Sequence, residues 1–163
     1  AQSRQVLDYC KIDDNVYLTI LFGLHTGMRV GEAFAVTWKD IDFANRKINI
    51  SRAVNGHIKN GVRRSIKLTD ELYNALLFRY NLKQEVGFIL KPFDVNIKLS
   101  YIATQLGVPE ITYHKLRHSF ATMGLNAGVS PRDMAKILGH KQVSTTINLY
   151  WTAQKEVEIN FAP

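Results

Sequence analysis

Residues 16–24 read VYLTILFGL, apolar at nearly every position, and the run closes on Thr26-Gly27, where glycine suits a helix stop. This predicts a helix over 13–26. A second helix follows from about Met28 to Thr37, with Val30, Ala33, Phe34 and Val36 as its apolar side. The period then changes. Residues 47–51 (KINIS) alternate polar and apolar, and residues 62–68 (VRRSIKL) end apolar after a polar start. Asn55-Gly56 and Asn60-Gly61 are turn dipeptides between them, so residues 41–68 are expected to form a small antiparallel sheet.

Helical spacing returns in the second half. Thr69-Asp70 suits the start of a helix reaching about Tyr80. Leu99, Ile102, Ala103 and Leu106 mark another from Asp94 to about Gln105, stopped by Gly107 and Pro109. Thr112 caps a third, with Leu116, Phe120, Met123 and Ala127 on one stripe and Gly128 past its end. Ser130-Pro131 reads as N-cap and first helical residue, with Asp133 in the first turn and Gly139 at the stop. A last helix begins near Ser144 and carries Tyr150. The expected class is α+β, a mainly helical domain with one small antiparallel sheet.

Composition adds few constraints. The 163 residues are 46% apolar and 21% charged, an ordinary globular profile with enough chain for one core. The single Cys10 cannot form an internal disulfide, which fits a reducing cytoplasmic setting. The longest apolar run is about half a membrane span and no signal peptide precedes it, so membrane and secreted classes are not expected. Charge is more telling. Between Arg46 and Lys67 lie Arg46, Lys47, Arg52, Lys59, Arg63, Arg64 and Lys67 with no acid among them, and these seven equal the whole net charge of +7. Such a concentration suits a polyanion, nucleic acid first; a solvated basic face is the plainer alternative.

Four motifs bear on chemistry. In Thr26-Gly-Met-Arg-Val-Gly-Glu32, Arg29 lies near a helix start, where its planar fork and the free N–H groups suit an anion; a surface ion pair with Glu32 is the plainer alternative. In His114-Lys-Leu-Arg-His118, His114 and Arg117 share a helix face, as a site combining proton transfer with charge neutralisation needs. His114 and His118 also have the spacing of a zinc pair, but the general-base glutamate is missing and Lys115 and Arg117 would repel a cation. Leu138-Gly-His140 sets a histidine at a helix corner, ten residues before Tyr150. Lys59 sits on a turn within the basic sheet.

Arginine, hairpin lysine, His-x-x-Arg, Gly-His and a late tyrosine, in this order, resemble the catalytic domain of the tyrosine recombinase (phage integrase) family. The match runs from the box at 26–32 to Tyr150, and residues 138–150 (LGHKQVSTTINLY) look especially close to the family's final box. The resemblance implies that Arg29 and Arg117 clamp the scissile phosphate of double-stranded DNA. It implies His114 and His140 beside them, Lys59 as the acid on the hairpin turn and Tyr150 as the nucleophile. The neighbouring pair Arg63-Arg64 competes with Lys59 for that placement. Trp151 after the nucleophile and the Lys-Asn-Gly turn depart slightly from the pattern. No metal or other cofactor is implied, and the working form is a homo-oligomer, a tetramer on DNA.

Elementary chemistry agrees with those roles. A phosphodiester under attack builds negative charge that two guanidinium groups can neutralise. A phenol is about one part in a thousand ionised at pH 7, and ionising it costs about 4 kcal/mol, so a base and nearby cations are needed. The resemblance then implies nucleophilic catalysis in which attack by Tyr150 would give a 3′-phosphotyrosyl bond and free a 5′-hydroxyl, with a partner strand's 5′-hydroxyl reversing it. The whole chain is expected to be one catalytic domain, the C-terminal part of a longer integrase. Two alternatives stand beside it: a non-enzymatic module in which residues 130–150 form a helix-turn-helix, and a type I topoisomerase with the same tyrosine chemistry.

Overall fold

The computed structural model describes residues 2–11, 13–54, 63–149 and 151. The helices are α1 (Gln2–Cys10), α2 (Asp14–Thr26), α3 (Val30–Ala35), α4 (Asp70–Lys83), α5 (Val95–Leu106), α6 (Tyr113–Asn126) and α7 (Pro131–Leu138). Residues 143–149 form a further helical stretch, α8. Between α3 and α4 lie a 3-10 turn at Trp38–Asp40 and the strands β1 (Ile41–Asp42), β2 (Lys47–Ile50) and β3 (Arg64–Lys67). Among the described residues no helix is long and apolar enough to cross a membrane.

Short polar side chains set the helix starts. Asp13, Thr69, Asp94, Thr112 and Ser130 each accept a hydrogen bond from a backbone N–H two or three residues on. The stops at Gly27 and Gly139 need left-handed backbone, with φ of 64° and 73°. The strands pair antiparallel in the order β1-β2-β3, with Ile41 opposite Ile48 and Ile48 opposite Ile66, so alternate residues enter the core.

The predicted α+β class holds. α2 is the axis of the molecule: Leu18, Ile20, Leu21 and Phe22 are fully buried, as a helix apolar on every side requires. α6 lies against it so closely that a side chain at Gly23 would press on Leu116 and the Tyr113 ring. A smaller cluster of Ala121, Met134 and Leu138, with Phe120 and Leu149 against it, ties α6, α7 and α8 together.

Three expectations change. The second helix is only the six residues of α3, because Val36 returns to extended backbone and its carbonyl pairs with Ile89. The apolar stripe of α6 is displaced: Met123 and Ala127 are exposed, while Arg117 is buried on the face with Leu116 and Ala121. The basic segment is only partly a free cationic stripe. Arg46 pairs with Asp70 and stacks on Tyr73, Arg52 pairs with Asp40, and Arg64 pairs with Glu32. These three satisfy acids from outside the segment, while Lys47, Arg63 and Lys67 are exposed.

Candidate active site

α2 ends at Gly27, where any side chain would run into Phe120 of α6 and Leu138 of α7. That contact brings Arg29, two residues on, beside the inner face of α6. There Arg117 points from α6 toward the end of α7. A cleft of about 700 Å³ opens at this junction, lined by Arg29, His114, Arg117 and His140 together with Asn96, His118, Lys141, Gln142, Thr145 and Leu149. Four of the six residues singled out in the sequence thus share one cleft. Lys59 and Tyr150, the other two, lie outside the described residues. Leu149, immediately before Tyr150 in sequence, lines the cleft.

Arg117 is 6% exposed. Its Nη2 donates to the carbonyl of Leu138 at 2.9 Å and lies 3.2 Å from His140 Nε2. Its Nη1 is buried and has no partner among the described residues, and the same is true of Arg29 Nη1. Burial disfavours a charge, and the two guanidinium groups also repel. Arg117 is accordingly pushed down to about 10, by burial first and the Arg29 charge second. Arg29 is lowered by burial, partly offset by Glu32. Both remain cations at neutral pH, and their unused donors favour an incoming anion.

The histidines feel the same field. His140 is driven down to about 4 by burial and then by Arg117, Arg29 and Arg64. His114, exposed at the cleft, also lies below its ordinary value, through burial, His118, Arg117 and Arg29. Both are neutral at pH 7 in the free protein. The Tyr113 phenol, immediately before His114, is raised by burial and has no hydrogen-bond partner among the described residues.

At the start of α3 one backbone donor is already engaged, Glu32 Oε1 accepting from the Arg29 N–H at 2.8 Å. The alternative of a surface ion pair between Arg29 and Glu32 fails: Glu32 is 1% exposed, and both its oxygens are held by Arg64 at 2.7 and 2.8 Å. Burial would raise the Glu32 carboxyl, but the bonds and charge of Arg64 and the contacts with Arg29 outweigh it and hold it below the usual range.

The phage integrase family profile matches residues 1–156. The chain belongs to the phage integrase family. It is 35% identical over 150 residues to tyrosine recombinase XerA of Saccharolobus solfataricus, covering 89% of this chain and 48% of that protein. It is 28% identical to the transposase of transposon Tn916 from Enterococcus faecalis, covering 91% of this chain and 46% of the transposase. Among solved structures, the Tn1549 transposon integrase in complex with transposon right end DNA superposes with a TM-score of 0.75 at 26% identity, over 99% of this chain and 65% of that one. The catalytic domain of bacteriophage HP1 integrase shares the fold, with a TM-score of 0.68 at 21% identity over 99% of this chain and 91% of that domain. The chain spans about half the length of the relatives it matches in sequence.

Sequence reading missed Glu32 and Arg64 as a buried pair. The signal for Arg64 was present: in a strand of period two it falls on the same face as Ile66 and Leu68, both buried.

Proposed function

We propose that this cleft cleaves and rejoins double-stranded DNA in site-specific recombination, with Tyr150 as nucleophile. One observation carries the reading: Arg29 and Arg117, from distant parts of the sequence, open on one cleft with buried, unused guanidinium donors beside two histidines, His114 and His140. Two cations with free donors, and no carboxylate among the described residues lining the cleft, suit a phosphodiester, whose attack concentrates charge on the non-bridging oxygens.

The roles follow from chemistry. The Tyr150 phenol gives its proton to a base, for which neutral His114 is the candidate, as its oxygen bonds to phosphorus. The bond from phosphorus to the 5′-oxygen breaks, and that oxygen takes a proton, for which Lys59 is the candidate. One phosphoester replaces another, so the intermediate keeps the energy needed for rejoining. Attack by a 5′-hydroxyl of a second strand on the phosphotyrosyl bond completes the exchange. The reading treats residues 1–163 as one catalytic domain, acting as a homo-oligomer, a tetramer on DNA, in the cytoplasm.

The test uses nicked duplexes taken from DNA flanking the gene, on which the nick traps the cleaved state. A denaturing gel is expected to show a covalent protein–DNA complex that Arg29→Ala and Arg117→Ala abolish. Binding without such a complex, on every duplex tried, would leave only a DNA-binding module. Relaxation of supercoils without recombinants would support a topoisomerase.

A further inference from the structure

Each nitrogen of the Arg64 guanidinium reaches one of two distant described segments. Nη1 and Nη2 hold the two oxygens of Glu32 at 2.7 and 2.8 Å, and Nε donates to the carbonyl of Ile137 at 2.6 Å. Its side chain is 6% exposed and does not line the cleft. It packs under Gly139, where even a methyl group would come within 2.7 Å of Nη1. Glu32 in turn holds the backbone N–H of Arg29. At the other end, the last turn of α7 offers successive carbonyls, Ile137 to Arg64 and Leu138 to Arg117. His140 follows at once, its N–H closing on Ala135 at 2.8 Å.

We infer that Arg64 is a positioning residue for strand cleavage, a buried strut that fixes the backbone of Arg29 relative to the Gly139-His140 corner and so sets the spacing of the phosphate-binding groups. This rests on the cleavage reading above. The geometry demands arginine. Only a planar fork reaches a carboxylate with two parallel bonds and a backbone carbonyl with a third; lysine keeps the charge at one point and cannot span both. Glycine at 139 belongs to the same device, since it leaves room for the guanidinium as well as the left-handed turn. The strut joins α3, β3 and α7, which have no covalent neighbour in common.

The test compares the full chain with Arg64→Lys and Glu32→Gln, singly and together, by single-turnover cleavage of nicked DNA, DNA affinity, melting, and the side-chain nitrogen spectrum of His140. Misplacing a binding group by about 1 Å costs about 100-fold. Arg64→Lys is therefore expected to slow cleavage by about that factor while DNA affinity stays within about threefold, each variant being assayed equally far below its own melting point. The double variant is expected to be no slower than the worse single one. In the same protein the His140 ring is expected to lose its single hydrogen-bonded tautomer. Parental cleavage by Arg64→Lys, or a deficit that vanishes at matched distance from melting, overturns the strut. If Arg64→Lys does not fold, the isosteric Glu32→Gln decides by the same readouts. If the parent itself does not cleave, the cleavage reading fails, and an unchanged His140 spectrum in the variants overturns the strut separately.

Discussion

Arg117 Nη2 lies 3.2 Å from His140 Nε2, and a guanidinium can only donate. Nε2 is therefore the acceptor, the ring proton sits on Nδ1, and Nδ1–H donates to Thr146 Oγ1 at 2.9 Å. One arginine thus fixes the tautomer of a cleft histidine that burial, together with the surrounding arginines, keeps neutral. Nitrogen-detected NMR of the free protein is expected to show an Nδ1–H tautomer for His140 that persists on acidification to about pH 5, as a group pushed down to about 4 requires. A ring that titrates near 6.5 would contradict the arrangement.

Stability should depend on pH through the same residue. The unfolded chain protonates His140 near pH 6.5, whereas the folded protein resists until about 4, so the unfolded state binds more protons between those values. The stabilising contribution is complete above pH 6.5 and is lost as pH falls from there through 4. His114 and His25 are also lowered, chiefly by burial, and add to the slope in the same sense. Denaturant midpoints measured across this range are expected to fall with acidification, and His140→Gln to fall less steeply.

Arg29 trades stability for function. Its charge is half-buried, only partly offset by Glu32, repelled by Arg64 and equipped with a buried donor that nothing described accepts. Arg29→Met is expected to raise stability by about 1 kcal/mol, roughly 2–4 °C in Tm for a chain of this size, while abolishing cleavage. A lower Tm would mean that the guanidinium serves the fold.

Glu32 is the opposite case. Glu32→Ala leaves the Arg64 charge buried without its carboxylate and frees the Arg29 N–H as well. The expected cost is about 3–5 kcal/mol, read as a large drop in the urea midpoint. A change below about 1 kcal/mol, the scale of an exposed pair, would contradict the burial described here.

The sequence disclosed the fold where local chemistry decides it. Helix boundaries carried by Asp13, Thr69, Thr112, Ser130 and Gly139 were readable because capping uses short side chains and glycine in fixed places. Arg29, His114, Arg117 and His140 were readable because their order and spacing form a family pattern, and they do converge. The Glu32–Arg64 strut was legible only at one end: strand alternation puts Arg64, unlike Arg63, on the face of Ile66 and Leu68, but nothing local points to Glu32, far away in the sequence, as its partner. The basic segment was legible only as a sum of charge: order along a chain does not reveal which cations meet acids after folding, as Arg46 and Arg52 do.

The most direct test of the central claim is the identity of the residue that carries the DNA. Trapped complexes on nicked duplex should be digested with protease and nuclease and the cross-linked peptide sequenced by mass spectrometry. The account predicts a nucleotide mass on Tyr150 through a 3′-phosphate, absent in Tyr150→Phe. A nucleotide on another residue, or a complex that survives Tyr150→Phe, would contradict it.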